Sequence, residues 1–299
     1  MGNIGYCFPM KIKNNILITG ATGLLGGELT NLLHESHQVI ALVRKKPNIV
    51  LPNVQYIEID LNNNWDIDQL PKNVNTIFHL AQSEKFRNFP RDAVDVFNVN
   101  VQSTAKLLEY AESIGVKRFI YASSGGIYAS SRTAFQENSP LQSHGSLGYY
   151  LGTKICSEIL VQNYSNIMKA FILRFFFIYG KGQKRSMLMP RLVDKIKANE
   201  PITLQGQNGL RINPIHVKDA AHAVIATLGC KIGHTFNVAG NESYDLRQIA
   251  NIIGGLLDIG PIFETDNGSP SDIVADIRAM RSHLHEPKII LKKGIEELL

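Results

Sequence analysis

In NILITGATGLLGGELTNLLHES, residues 15–36, a short apolar run breaks into glycines and then resumes as a helical pattern. Gly20, Gly23 and Gly26 form G-x-x-G-x-x-G at that change. Glycine permits a tight turn and lets backbone approach a pyrophosphate closely. The start of the following helix offers free N–H groups and the positive end of the helix dipole. Glycines also occur in turns that bind nothing. The strand before this turn and the helix after it make phosphate binding the stronger reading.

Outward from this stretch, similar runs recur. QVIALV (38–43), VQYIEI (54–59), TIFHLA (76–81), RFIYAS (118–123) and AFILRFFFIYG (170–180) are apolar without clean alternation. Strands buried on both faces of a parallel sheet look like this. Helical segments lie between them. In NVNVQSTAKLLEYAESIG (98–115), Val101, Ala105, Leu108 and Ala111 share a face and Gly115 supplies a stop. Repeated strand–helix–strand units predict an α/β fold, a Rossmann-type doubly wound parallel sheet. After residue 180 the rhythm loosens. Helices near 187–198, 217–228 and 244–257 flank turn-rich PITLQGQNGLRINP and a short strand in HTFNVAG. The expected division is a dinucleotide-binding domain at 11–172, joined again by 212–235, and a smaller α/β substrate-binding lobe at 173–211 and 236–299.

The 299 residues are 44% hydrophobic and 19% charged, with net charge +5. The basic residues are scattered, so no nucleic-acid stripe is expected. KGQKR (181–185) is the densest group and reads as a solvated loop or a contact for an anionic small substrate. Cys7, Cys156 and Cys230 show no metal spacing, so no metal is expected, and such usage suits a reducing cytoplasm. No apolar run approaches the roughly 20 residues that span a bilayer. The first nine residues read as a loose extension rather than a signal peptide, and Tyr6 stands where a myristoylation signal needs Ser or Thr.

SLGYYLGTK (146–154) places two tyrosines ahead of Lys154. Helical residues i and i+4 share a face, whereas i and i+5 diverge by about 140°. Tyr150 can therefore act with Lys154, and Tyr149 points elsewhere. A nearby ammonium favours the phenolate and would lower the pKa of Tyr150. Ser123 and Ser124 end the fifth strand, at the edge where open α/β sheets bind ligands. A serine there can hold a substrate oxygen while Tyr150 gives it or takes from it a proton. His79, alone in an apolar strand, reads as a packed structural histidine. Asp60 closes the third strand, as an adenine partner or as a surface turn.

TGATGLLG, HLAQ, NVNVQST, YASSGGIY, YYLGTK and LRFFFIYG occur in this order. The chain thereby resembles the extended short-chain dehydrogenase/reductases, and within them the nucleotide-sugar epimerase/dehydratase family, from about residue 14 to about 295. The resemblance implies Tyr150 as catalytic acid/base, Lys154 on the nicotinamide ribose, and Ser124 as the catalytic hydroxyl, with Ser123 the lesser candidate. Cofactor contacts are expected at Gly20, Thr22, Gly23, Leu24, Leu25, Gly26, Arg44, Asp60, Leu61, Leu80, Ala81, Gln82, Asn100, Tyr150 and Lys154. Substrate contacts are expected at Ser83, Ser123, Phe177 and Arg211. Three positions depart from the family pattern: Gln82 replaces an alanine, Ser103 a glycine, and Phe177 an asparagine that commonly touches the substrate diphosphate. RINPIHVKD (211–219) carries one residue more than the family's segment.

The implied activity is NAD(P)-dependent hydride transfer at a ring carbon of a nucleotide-activated sugar, most often C4, by a 4-epimerase or a 4-keto-sugar reductase. The family's 4,6-dehydratases carry an acidic pair where this chain has Gly125-Gly126, which disfavours that reaction. A reductase of a non-nucleotide carbonyl and a non-catalytic dinucleotide sensor are the rivals. A homodimer is expected. The second strand runs into Arg44, Lys45 and Lys46 with no acid at its end. A carboxylate there selects NAD, and a guanidinium can clamp the 2′-phosphate of NADP. Arg44 thus leans the expectation from NAD towards NADP, unless the triplet is only a solvated basic turn.

Overall fold

The computed structural model describes residues 14–299 except 130, 132, 144 and 232. The extension at 1–9, Cys7 and the first residues of the expected dinucleotide-binding domain lie outside the described residues. In chain order the elements are β1 (Asn15–Thr19), α1 (Leu24–Leu33), β2 (Gln38–Val43), β3 (Val54–Glu58), β4 (Thr76–His79), α2 (Ala93–Phe97), α3 (Ser103–Ser113), β5 (Arg118–Ser124), α4 (Tyr149–Asn163), β6 (Lys169–Phe175) and β7 (Ile178–Tyr179). They continue as α5 (Leu188–Lys197), β8 (Ile202–Gln205), β9 (Arg211–Ile212), β10 (Ile215–His216), α6 (Val217–Ala226), β11 (Thr235–Val238), β12 (Tyr244–Asp245), α7 (Leu246–Leu257), β13 (Phe263–Asp266), α8 (Arg278–His283) and α9 (Leu291–Glu296).

Seven strands form a parallel sheet in the order β11-β6-β5-β4-β1-β2-β3. The order reverses about β1, as in a doubly wound Rossmann-type sheet, and that reversal opens a ligand crevice at the carboxyl ends of the strands. Ile16, Ile18, Phe78 and Ile120 feed an apolar core on one face, closed by α1 and α6. Leu17, Ile77, Phe119 and Tyr121 feed a second core on the other, under α3 and α4. The alternation within each strand explains why these runs read as uniformly apolar: both faces are covered. β11 belongs to this sheet through Val238, with Phe236 and Val238 in its core.

The run 170–180 is not one strand. β6 ends at Phe175, Phe177 takes a left-handed backbone with φ 45°, and β7 leaves the sheet to pair with β10. That conformation costs a non-glycine residue roughly 1–2 kcal/mol. It marks where the chain passes towards a third apolar cluster, built by Leu192, Val193, Ile196, Ile212, Ile249 and Ile253 of α5, β9 and α7. No helix among the described residues is long and apolar enough to cross a membrane.

Candidate active site

The turn after β1 is built around glycine. Gly20 has φ 68°, and a Cβ there would meet Ala81 N at 3.0 Å. A Cβ on Gly26 would stand 2.1 Å from Gly20 O. The turn and the first turn of α1 can close on each other only without side chains. Helix geometry leaves the N–H groups of Leu24, Leu25 and Gly26 without intrahelical acceptors. Gly23 caps the helix with no side-chain bond, and no acid stands in the first turn. Thr22 is exposed beside them, while the Leu25 side chain is buried in the core, so Leu25 offers only backbone. This donor set fits a dinucleotide pyrophosphate.

His79 secures the turn from below. It is fully buried; Nδ1 pairs with Thr19 Oγ1 at 2.8 Å and Nε2 with Thr104 Oγ1 at 2.9 Å. Burial first, then Lys154, drives its pKa down to about 3, so the ring is neutral. Thr19 Oγ1 also accepts the N–H groups of Leu80 and Ala81, which fixes the end of β4 beside the glycine turn. His79 is thus part of the scaffold. Among the described residues no group of His, Cys, Asp and Glu is arranged to hold a metal.

On α4, Tyr150 and Lys154 do share a face. The ammonium of Lys154 lies 5.9 Å from the Tyr150 ring centre and donates to Ala122 O at 2.9 Å, at the end of β5. Tyr149 turns away, donating to Ala93 O and stacking on Phe89. The phenol of Tyr150 donates to Gln82 Oε1 at 2.9 Å, and the Phe86 ring leans on it at 4.8 Å. Burial pushes the Tyr150 phenol up, contrary to the lowering expected from Lys154. The same burial pulls Lys154 down to about 8, opposed by Glu158 one turn on. The phenol is therefore protonated at neutral pH. Desolvation outweighs the single ammonium, which is itself partly spent on a carbonyl oxygen.

Ser124 Oγ accepts the Gly126 N–H at 3.2 Å, which leaves its own proton free to be donated. Ser123 lies on the opposite face of β5, buried, and its hydroxyl finds no hydrogen-bond partner among the described residues. Beside Ser124 a cavity of about 160 Å³ is lined by Gly125, Gly126, Gln142, Asp272 and Ile273 among others. Arg211 lies just behind it: its carbonyl accepts from Ile273 N and its Nε donates to Ser243 Oγ. Phe176 lies against Gly125 so closely that a Cβ there would fall 2.4 Å from the ring. A larger cavity, about 590 Å³, sits at the amino ends of β5 and β6 near Lys117 and Lys169, at the other edge of the sheet from this chemistry.

Several expected contacts do not present their side chains. Asn100, within a π-helical stretch at 98–102, is buried: Oδ1 accepts Ser83 N and Nδ2 donates to Thr153 Oγ1. It braces α4 from beneath. Ser83 is buried, and its hydroxyl is already engaged, donating to Asp95 and accepting Lys85 N. Leu61 packs into the core, and Asp60 caps its own turn by accepting Asn62 N at 3.0 Å. Phe177, at the bend after β6, has no side-chain donor, and its carbonyl accepts Ile215 N. Arg44 is exposed and ion-paired to Glu84 at 2.6 Å. Of the KGQKR loop, Lys184 pairs with Glu84 and Arg185 with Asp194. Sequence reading missed the Gln82–Tyr150 bond and the buried pair between Arg174 and Glu158, at 2.7 Å. Neither carries a local signal, because each partner comes from a different element.

A model of the NAD dependent epimerase/dehydratase family matches residues 16–239. An uncharacterized UDP-glucose epimerase of Bacillus subtilis is 27% identical over 304 residues, 94% of this chain and 95% of its own. The dTDP-4-dehydro-6-deoxyglucose reductase of Escherichia coli is 28% identical over 318 residues, 96% of this chain and 97% of its own. The crystal structure of UDP-glucuronic acid 4-epimerase from Bacillus cereus, in complex with UDP-glucuronic acid and NAD, superposes with a TM-score of 0.84 at 23% identity, over 95% of this chain and 97% of that one. With the glycine turn, the Tyr150–Lys154 face and a family match over most of its length, the chain belongs to the NAD dependent epimerase/dehydratase family.

Proposed function

We propose that the protein binds NAD and catalyses hydride transfer at C4 of a nucleotide-activated sugar. The observation that carries this reading is that Tyr150 and Lys154 share a face of α4, with Lys154 held on Ala122 O near the carboxyl end of β5, the strand that Ser124 closes, two strands from the glycine turn. When bound, the nicotinamide supplies the hydride acceptor or donor. The chain does the rest. The Ser124 hydroxyl holds the sugar oxygen at C4 by donating a hydrogen bond to it. Tyr150 gives that oxygen a proton or takes one from it. Lys154, held by Ala122 O, orients the nicotinamide ribose and carries positive charge next to the phenol. The Leu24–Gly26 amides hold the pyrophosphate.

Two outcomes fit, a 4-epimerase and a 4-keto-sugar reductase, and each has its own support. Glu84 already occupies Arg44, which supports NAD over the NADP expected from Arg44. NAD held through a full cycle suits an epimerase. The protonated phenol of Tyr150, held on Gln82, suits a reductase, which begins by giving a proton to a carbonyl oxygen. Phe176 against Gly125 leaves no space for an acidic side chain at that position, which speaks against 4,6-dehydration. The test is to incubate the protein with UDP- and dTDP-hexoses and their 4-keto derivatives, with either cofactor, and to separate the products. Inversion at C4 without net cofactor change identifies an epimerase, and stoichiometric oxidation of the reduced cofactor a reductase. No turnover and no thermal stabilisation by any nucleotide sugar would defeat the reading.

A further inference from the structure

Glu84 joins three distant parts of the chain. One carboxylate oxygen accepts from Arg44 Nη2 at 2.6 Å, and the other lies 2.9 Å from Lys184 Nζ. Arg44 directly follows β2, Glu84 follows β4, and Lys184 lies between β7 and α5. In the sheet β1 stands between β4 and β2. Strands lie about 4.8 Å apart, so the ends of β2 and β4 are roughly 10 Å apart. The Arg44–Glu84 pair joins the segments that leave these two strand ends, on either side of the carboxyl end of β1. The Gly20–Gly26 turn begins at that end, so the pair joins the two sides of the crevice in which an adenosine diphosphate would lie.

We propose that Glu84 is the acid that selects NAD against NADP in this protein. The proposal rests on the reading that this groove takes a dinucleotide. In the usual arrangement a carboxylate at the end of β2 meets the adenosine ribose. Here that position is basic, and the carboxylate arrives from the opposite side of the groove. Lys184 first, and Arg44 with it, hold the Glu84 carboxyl below the usual carboxylate range, so it is charged at neutral pH. A 2′-phosphate brought to Arg44 comes against this charge and must compete with it for the guanidinium. An unphosphorylated ribose meets an acceptor instead. Without Glu84, Arg44 and Lys184 would be two unpaired cations beside the groove, a ready clamp for the extra phosphate. The pair is half exposed, so salt screens the discrimination.

The test is calorimetric titration of NAD and NADP into wild type, Glu84→Gln and the double variant Glu84→Gln/Arg44→Ala, at low and high salt. Wild type should bind NAD more tightly. Glu84→Gln should tighten NADP about tenfold, a shift of 1.4 kcal/mol, with NAD changed far less. Adding Arg44→Ala should remove that gain, and high salt should shrink it. An unchanged ratio of the two affinities in Glu84→Gln overturns the proposal, and so does equal weakening of both. Failure of wild type to bind either cofactor overturns the dinucleotide reading itself, and this proposal with it.

Discussion

At the scale of single side chains, the proposed reaction rests on the phenol of Tyr150 and the ammonium of Lys154. In the proposed reaction Tyr150→Phe removes the acid/base that exchanges a proton with the sugar oxygen, so turnover should fall by about 10²–10⁴. Cofactor dissociation constants should stay within a few-fold, because Lys154 and the glycine turn are untouched. Tyr149→Phe loses only a bond to Ala93 O and should be far milder; equal losses in the two variants would remove Tyr150 from its role. Lys154 makes a pH prediction. Its proton leaves near pH 8 in the folded protein, lowered from its ordinary 10.5 by burial. Cofactor affinity should be flat below that pH and weaken above it, as the charge beside the ribose is lost. Lys154→Met should bind more weakly and without this dependence. The sign for stability is opposite. Between about pH 8 and 10 the unfolded chain holds a proton that the folded chain has released, so this residue's contribution rises with pH there. Affinity that ignores pH in wild type would exclude Lys154 from the cofactor.

At the scale of elements, a buried ion pair ties α4, which carries Tyr150 and Lys154, to β6. Arg174 of β6 and Glu158 of α4 pair at 2.7 Å with side chains only 8% and 7% exposed, and Arg174 also donates to Tyr128 Oη. Removing either partner strands the other and should cost about 3–5 kcal/mol. The two deletions should still differ at the site. Glu158→Gln also removes the carboxylate that supports the Lys154 ammonium, so the alkaline fall in cofactor affinity should move to lower pH. Arg174→Met should lower the melting temperature comparably without that move. A shared shift would mean that the pair acts on Lys154 only by positioning α4. The sheet was legible in the sequence because its strands are buried on both faces and its turn needs glycine at fixed places. Tyr150 and Lys154 were legible because helical spacing is local. Gln82 on Tyr150, Glu84 on Arg44 and Arg174 on Glu158 were not, since nothing within one segment announces a partner many residues away. The bend at Phe177 was hidden for a related reason: its apolar run continues unbroken across a left-handed residue.

At the scale of the whole molecule, the remaining question is how the outer helices meet solvent. α2 packs against α4, and the two leave large apolar side chains outside: Val94 is 71% exposed, Phe97 46% and Ile159 54%. Such residues are unremarkable singly, but on neighbouring helices they present apolar surface that water does not favour. A second copy of the same chain could cover both helices about a two-fold axis, each helix meeting its equivalent. This would place the contact on the outer side of α4, with Tyr150 and Lys154 on the inner side of the same helix. Dimer formation would then rigidify the element that carries the chemistry without closing the crevice. The expected outcome is a dimer mass in sedimentation equilibrium, and for Ile159→Glu a shift to monomer with a lower melting temperature. Because the Glu would sit on the face of α4 away from Lys154, cofactor affinity per chain should change little. A wild-type protein that sediments as a monomer throughout the micromolar range would rule the arrangement out, and the exposed side chains on α2 and α4 would then be ordinary surface.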